Sequence, residues 1–591
     1  MGVWDNVPEY GNIDSMIRDS RFLQKKFRNE LIPVMISLLG GTVNTLIDSA
    51  FVARKLDSDA LAALGLNMPV FLTLCLIGCL FGSGAFVSAS REFGHHGTEK
   101  AARLYHTALL SAVIAGGIVM LTGIFFSDGI SVFICNDAGI LPMVEDYCRI
   151  TLIGALPYVL IYFPNYFLQL DGKTRKISRV MLTMMLTDIL FDWIFIYLLD
   201  MGVAGAAYAS VFSMVIACIY GFACLQDRDG IFYFRWKYLG FTGLRSILSL
   251  GSTQAIGSLM ATLRMFFLNR LILMAGGTDA MATWTVINSM IEISKCIISG
   301  VPRTASPLLG VYIGGYDDEG IKMLVRLEIK TGMILVSIFS AVLIILNHPI
   351  GLFFKLDRSV LIPLVCLCIS LEAELICSVL GSYYNVAGRV GLSNYSMILR
   401  SFLCPVLSAF VLYLCKGLIW LFMPVGMILC LLCTLFLASR IAYPNKSGMT
   451  FNSGILFLYS ERNGLKDVVS LSIDGTDEKI CEASEAIVDF CVDNSMDLKT
   501  ATKLGLSLEE VMTVMAEKSL RSKDEPVDVR VFSDRKGTGI TIMCSGSRYD
   551  LFEEAQESED DFDLGIRLIQ KIARECDYTY TLGLNILTVG I

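Results

Sequence analysis

Residues 91–116, REFGHHGTEKAARLYHTALLSAVIAG, and residues 310–335, GVYIGGYDDEGIKMLVRLEIKTGMIL, share one layout: a polar break holding glycine and charge, then the start of a long apolar run. Residues 165–186, NYFLQLDGKTRKISRVMLTMML, and residues 382–403, SYYNVAGRVGLSNYSMILRSFL, repeat the relation at an offset of about 216 to 220 residues. The chain therefore contains two similar halves. Apolar stretches long enough to cross a hydrocarbon layer of roughly 30 Å recur about twelve times before residue 441, six in each half. Because six is even, both halves enter from the same side. Their relating axis then runs along the membrane normal, and a cleft between them faces either side in turn, an architecture suited to moving solutes.

Composition agrees. Of 591 residues, 54% are hydrophobic and 18% charged, with mean hydropathy +0.61, too apolar for a soluble protein of this size. The expected fold is an all-α polytopic membrane bundle of 12 transmembrane helices in two pseudo-symmetric six-helix halves, followed by a soluble α/β two-layer sandwich. The expected boundaries are an N-terminal segment 1–26, a first lobe 27–225, an inter-lobe linker 226–242, a second lobe 243–440, a linker 441–464 and the tail domain 465–591. Lys and Arg concentrate in alternate breaks, which predicts that both termini are cytoplasmic in a cytoplasmic (inner) membrane; ARKLDSD (53–59) is the exception. The first 25 or so residues hold no apolar core segment, so no cleaved signal peptide is expected. The net charge of −8 comes largely from the tail. Most of the eighteen cysteines stand singly in apolar runs, without metal-site spacing, and no disulfide or metal framework is expected. His95, His96, His106 and His348 are expected to be solvated.

After residue 441 no span-length apolar run follows. VVSLSI (468–473), VDVRVF (527–532) and GITIMCSG (539–546) alternate as half-buried strands do, and residues 477–494, 499–520 and 564–576 read as helices.

Ionisable residues inside the apolar runs carry the chemistry. An ionised carboxylate near the bilayer centre costs several kcal/mol unless paired or hydrated, so it faces a cavity and makes a natural proton or cation carrier. Asp48 lies in NTLIDSAFVA, and Asp188 and Asp192 lie four apart in LTDILFDWIFIY (186–197), on one helical face. The plainer alternative is a cap or an internal hydrogen bond. The second half differs in sign balance, with Arg264, Glu292, Lys295, Glu372, Glu374 and Arg400 as candidates for the cleft. Glu292 and Lys295 are three apart and able to neutralise each other. Glu372 and Glu374 sit about 200° apart around a helix, so at most one faces the cleft squarely. Pro157 and Pro164 are candidate bending points.

These residues resemble the multidrug and toxic-compound extrusion (MATE) family of secondary transporters over about residues 25 to 440. The resemblance is carried by IDSAFVARKLDSDALAALGLNMP (47–69), SREFGHHGTEKAAR (90–103), LQLDGKTRK (168–176), DILFD (188–192), MGVAGAAYAS (201–210) and PRTASPLLGVYIGGYDDEG (302–320). It implies a first-half ion site at Asp48, at Asp188 where relatives usually have Asn, at Asp192, and at Ser210 where relatives often have Thr. It also implies an antiporter, not an enzyme, exporting amphipathic, often cationic compounds against entry of H⁺ or Na⁺. No further cofactor, catalytic residue, metal site or nucleic-acid partner is expected.

The tail resembles the anti-sigma-type regulatory ATPases of the Bergerat fold through LSLEEVMTVMAEKSL (506–520), ITIMCSGSRYDL (540–551) and LGIRLIQKIARECDYTYTLGLNILTV (564–589). Glu510 stands at the general-base position, and Gly546 and Gly565 remain. Val514 replaces the Asn that would bind Mg²⁺, and Cys544 replaces the Asp that would read adenine. EEAQESEDDFD (553–563) replaces the glycine-rich lid and would repel a triphosphate. The expectation is a pseudo-ATPase that does not hydrolyse ATP, regulating the bundle or capturing a cytoplasmic protein. Two other readings of the whole stay open: a flippase or exporter for a lipid-linked or anionic substrate, and a membrane sensor whose tail binds a signalling protein such as a sigma-factor regulator.

Overall fold

The computed structural model describes residues 18–55, 58–135, 139–227, 230–353, 360–442, 466–533, 537–557 and 564–591. The first lobe consists of α1 (Arg21–Lys55), α2 (Ser58–Gly94), α3 (Thr98–Ile134), the broken helix α4 (Leu141–Ile153), α5 (Ala155–Leu160) and α6 (Tyr162–Leu170), then α7 (Thr174–Asp192) and α8 (Gly202–Leu225). The second lobe consists of α9 (Leu244–Ile298), α10 (Gly300–Gly314), α11 (Asp318–Ile345), α12 (Asn347–Phe353), α13 (Leu361–Val386), α14 (Val390–Ile398), α15 (Cys404–Leu414) and α16 (Phe422–Ala442). Among the described residues ten helices are long and apolar enough to cross a membrane, and the α4–α6 segment, bent by 58°, makes an eleventh. The 35-residue α1 falls outside that count, so the expected twelve is not reached by this measure.

The chain breaks in α4–α6 fall at Gly154 and Ile161, each three residues before a proline. Pro157 and Pro164 have no N–H for the carbonyls four residues back, and the helix opens there. The repeat is visible in the backbone. Gly172 and Gly388, 216 residues apart, both take left-handed φ (72° and 79°), as do Asp200 and Lys416 (51° each), and His96 and Tyr316 (55° and 57°). Among the described residues each lobe also holds one π turn, Trp193–Leu198 after α7 and Leu399–Leu403 after α14.

At one end of the bundle the lobes touch backbone to backbone. A Cβ at Gly94 of α2 would collide with the Val311 carbonyl of α10, and one at Gly314 with the Arg91 carbonyl. Only glycine permits that approach.

The tail packs against this same end. Its strands β1 (Lys466–Asp474), β2 (Pro526–Ser533), β3 (Thr538–Ser545), β4 (Glu575–Thr581) and β5 (Leu584–Gly590) form one antiparallel sheet in the order β1-β2-β3-β5-β4. Leu471, Val529, Ile542 and Leu587 point from it into a core shared with helices α17 (Asp477–Asp493), α18 (Leu498–Lys518), α19 (Leu551–Glu557) and α20 (Leu564–Ile572). By the strand period of two, Ser472, Asp528, Arg530, Thr541 and Thr579 occupy the other face. That face, which would be wet in an isolated domain, is buried on the bundle.

The contacts reach both lobes. Arg530 donates to the carbonyls of Gly315 (2.7 Å) and Tyr316 (2.7 Å), which follow α10. Arg18, 6% exposed, bridges Asp317 (2.7 Å) after α10 and Asp528 (2.8 Å) of β2. Burial raises both carboxyls; Arg18, joined by Arg530, more than offsets it at Asp317 but not at Asp528. On the first lobe, the Leu170 carbonyl that ends α6 accepts from Leu582 N (2.8 Å) and Thr581 Oγ1 (3.0 Å), and Lys26 reaches the Leu582 carbonyl. His96, between α2 and α3, contacts Thr579 through Nδ1 and Thr588 through Nε2, both at 2.9 Å. This corrects the expectation of solvated histidines for His96 and His106, whereas His95 and His348 are exposed. Burial pushes the His96 imidazole down to about 4, and His106 is fully buried, accepting from Arg235 N at 2.8 Å. Both resemble exposed loop residues in sequence because the surface covering them comes from distant chain.

Candidate functional site

Two cavities are lined by described residues of the bundle. The first, about 600 Å³, is lined by α1, by the first half of α2, by α4–α8 and by Arg303 of α10, with Asn44, Tyr147, Asp188 and Ser210 among its walls. Asp188, 1% exposed, accepts from Asn44 Nδ2 (2.5 Å) and Ser213 Oγ (3.1 Å). Such donors hold a carboxylate in place without neutralising it. One turn on, at the end of α7, Asp192 is equally buried and its Oδ2 has no hydrogen-bond partner among the described residues. The π turn begins at the next residue; such turns commonly mark functional sites in helices. Asp48 falls in α1, but its side chain lies outside the described residues. The structure thus brings together Asp188 and Ser210 in one cavity wall and adds Asn44 and Ser213. Asn44 was legible in principle, standing four residues before Asp48 on the same face of α1.

The second cavity, about 280 Å³, lies toward the second lobe and shares Leu38, Tyr162 and Arg303 with the first. Arg400 lines it, together with Arg303 and a set of serines that includes Ser299, Ser378 and Ser382. Arg303 sits in the quoted stretch 302–320 but was not singled out; α10 is apolar around it, and that intramembrane charge was the available signal. The other second-lobe candidates stand apart from both cavities. Glu292 and Lys295 pair with each other at 2.5 Å, each nearly half exposed. Glu372 accepts from Ser337 at 3.2 Å. Glu374 and Arg264 do not line either cavity. Glu328, absent from the expected set, is buried in α11 with Oε1 unpaired among the described residues.

In the tail, Val514 and Cys544 are buried in the domain core. Burial pushes the Cys544 thiol up to about 12, so it is a neutral filler. The Glu510 carboxylate lies against Gly565, where a Cβ would collide with it, and Gly546 lies against Ser519.

A helical bundle of two like halves, closed at one end over a cleft with buried charge, is the build of a membrane transporter. The family model MatE matches residues 33–194. The multidrug export protein MepA of Staphylococcus aureus (strain NCTC 8325) is 25% identical over 325 residues, covering 54% of this chain and 72% of the relative. Its counterpart in Staphylococcus saprophyticus is 24% identical over 332 residues, covering 56% and 73%. Among solved structures, an outward-facing multidrug resistance MATE family transporter of the MOP superfamily superposes with a TM-score of 0.67 at 22% identity, covering 74% of this chain and 98% of that one. A MATE in complex with MaL6 gives 0.67 and 22%, covering 73% and 98%. The bundle therefore has the fold of these MATE structures.

Proposed function

We propose that the chain is a secondary active exporter of amphipathic organic compounds, driven by H⁺ or Na⁺ entry across the cytoplasmic membrane, with both termini and the tail domain cytoplasmic. The observation that carries this reading is Asp188: a buried intramembrane carboxylate, held by Asn44 and Ser213, in the wall of a cavity large enough for a drug-sized solute. With the tail inside, the glycine contact of α2 and α10 closes the inner end, and the state described is outward-facing. Ion binding at the Asp188/Asp192 pair from outside favours release of substrate; ion release inside resets the cleft. The tail is a pseudo-ATPase used for regulation. Core side chains fill its Mg²⁺ and adenine positions, and its sheet spans the inner turns of both lobes, favouring the inward-closed state.

The test is flux in proteoliposomes with ΔpH and ΔNa⁺ imposed separately, using rhodamine 123 and the full chain. Flux following one gradient and vanishing in Asp188→Ala, which removes both side-chain oxygens, supports the reading and names the ion. Ion-driven flux that survives in Asp188→Ala removes this site from coupling.

A further inference from the structure

The two cavities differ in charge. Among the residues lining the second there is no carboxylate, while two guanidiniums, Arg303 and Arg400, border it. Arg400 Nη1 and Arg303 Nε are both buried without a hydrogen-bond partner among the described residues. What they do contact is weak. Arg400 Nη2 meets the Met397 thioether at 3.3 Å, and Arg303 Nη2 reaches the Asn165 carbonyl at 3.3 Å while its plane lies over the Tyr166 ring at 4.7 Å. A thioether is a poor acceptor, and a buried guanidinium without an anion leaves most of its five donors idle in a medium where desolvation is costly. Natural membrane helices keep such a charge where it meets water or an anion.

The repeat isolates the feature. Met181 and Met184 line the first cavity; 216 residues later, Met397 and Arg400 line the second. The first of each pair is unchanged in chemistry, and the second has become a cation. Both stand on the helix that begins at the left-handed glycine of its lobe, and Arg400 falls within the π turn that turns extra residues off the regular face.

We propose that the second cavity is a subsite for an oxyanion, with Arg303 and Arg400 binding the carboxylate, sulfonate or phosphate of an amphipathic substrate. Guanidinium forks match such planar or tetrahedral oxygen sets, and hydroxyl-bearing serines complete the wall. Substrates that use this subsite would then be anionic or zwitterionic, their apolar part lying toward Tyr162 and Leu38, where the cavities meet. This rests on the exporter reading for its meaning as a substrate site, not for the binding itself.

The experiment measures fluorescence anisotropy with the full chain in nanodiscs, using two xanthene dyes of opposite charge, fluorescein and rhodamine 123. Wild type is compared with Arg400→Met, which installs the first-lobe residue, with Arg303→Gln, and with Arg400→Lys. Fluorescein is expected to bind wild type and to lose about tenfold or more in affinity in Arg400→Met and Arg303→Gln, with partial recovery in Arg400→Lys. Rhodamine 123 affinity is expected to stay within about threefold in Arg400→Met, which also shows that the variant is folded. Discs of phosphatidylcholine alone and discs with added phosphatidylglycerol separate the sources. Displacement of fluorescein by phosphatidylglycerol assigns the site to a lipid headgroup, and no displacement assigns it to a soluble anion; either supports the subsite. Unchanged fluorescein affinity in both neutral variants, or no fluorescein binding to wild type in either lipid, overturns it. No ion-driven flux of either dye with fluorescein binding intact would remove the exporter reading alone.

Discussion

The two halves share one backbone plan and differ in the charge of their cavity walls: Arg303 borders both cavities, joined by Asp188 in the first and by Arg400 in the second. The first lobe places Asp188 on α7, and the second places Arg400 on α14 and its π turn, on helices that start 216 residues apart from equivalent left-handed glycines. Fold symmetry is set by span length, glycine turns and small-residue packing, all of which tolerate a change of one wall residue. Function is set by that wall. A repeat therefore predicts where a site lies and leaves its sign open.

The largest effect that would break this comparison belongs to Asp188. Asp188→Ala removes the charge together with the two oxygens that accept from Asn44 Nδ2 and Ser213 Oγ, and is expected to lower ion-driven flux about a hundredfold or more with protein level unchanged, measured in proteoliposomes. Next is Met184→Arg, which gives the first lobe the second lobe's residue one turn before Asp188. An Arg there pairs with Asp188, favours its ionised form and opposes its ion exchange; flux is expected to fall about tenfold. Unaltered flux would mean that position 184 does not share the cavity with Asp188.

A second comparison, between tail face and bundle end, yields smaller effects. Arg18→Ala leaves Asp317 and Asp528 buried without their shared cation. Breaking one partner of such a set costs about 3–5 kcal/mol, here drawn from docking. Faster hydrogen exchange in β1 and β2 and easier proteolytic release of the tail are the expected readouts.

His96 adds a pH dependence. When docked its imidazole is pushed down to about 4, by burial first, with Glu575 opposing and His95 assisting. When undocked it titrates near 6.5. Docking is therefore unpenalised above 6.5, weakens as pH falls because the free histidine gains a proton that the docked one refuses, and levels off below about 4. The total is about 3 kcal/mol. Exchange protection of β4 and β5 is expected to drop between pH 7.5 and 5.5 in wild type, and less in His96→Gln, which separates His96 from the other groups that titrate there.

Much of this was legible in the sequence, for identifiable reasons. Span periodicity and the shared breaks 91–116 and 310–335 announced two lobes, because hydropathy and glycine turns are local signals. The strands of the tail were legible from alternation, and so was the polar character of the sheet face; its burial was not, since Ser472, Asp528 and Arg530 read as a wet face until the bundle covers them. Asp188 stood out as charge in an apolar run. Arg303 carries the same signal, a charge within an apolar helix, inside the stretch 302–320 that also carries the family likeness. Asn44 could be read from its place four residues before Asp48, whereas Ser213 is neutral and common, and only three-dimensional proximity to Asp188 gives it a role.

The smallest effect tests whether the docking face is held by its buried groups or by charge in general. Lys25 and Glu525 also link the N-terminal segment to the tail, at 3.1 Å, close to Arg18 in sequence and similar to it in charge pairing. Here the lysine is 46% exposed, so water and salt screen the pair and a flexible four-carbon stem must be ordered to form it. Replacing Lys25 by Ala is expected to change docking by less than about 1 kcal/mol and to leave exchange in β2 nearly as in wild type. An effect as large as that of Arg18→Ala would mean that the whole N-terminal segment docks as one unit, its contribution spread over surface charge instead of concentrated in the buried guanidinium that joins the tail to the second lobe.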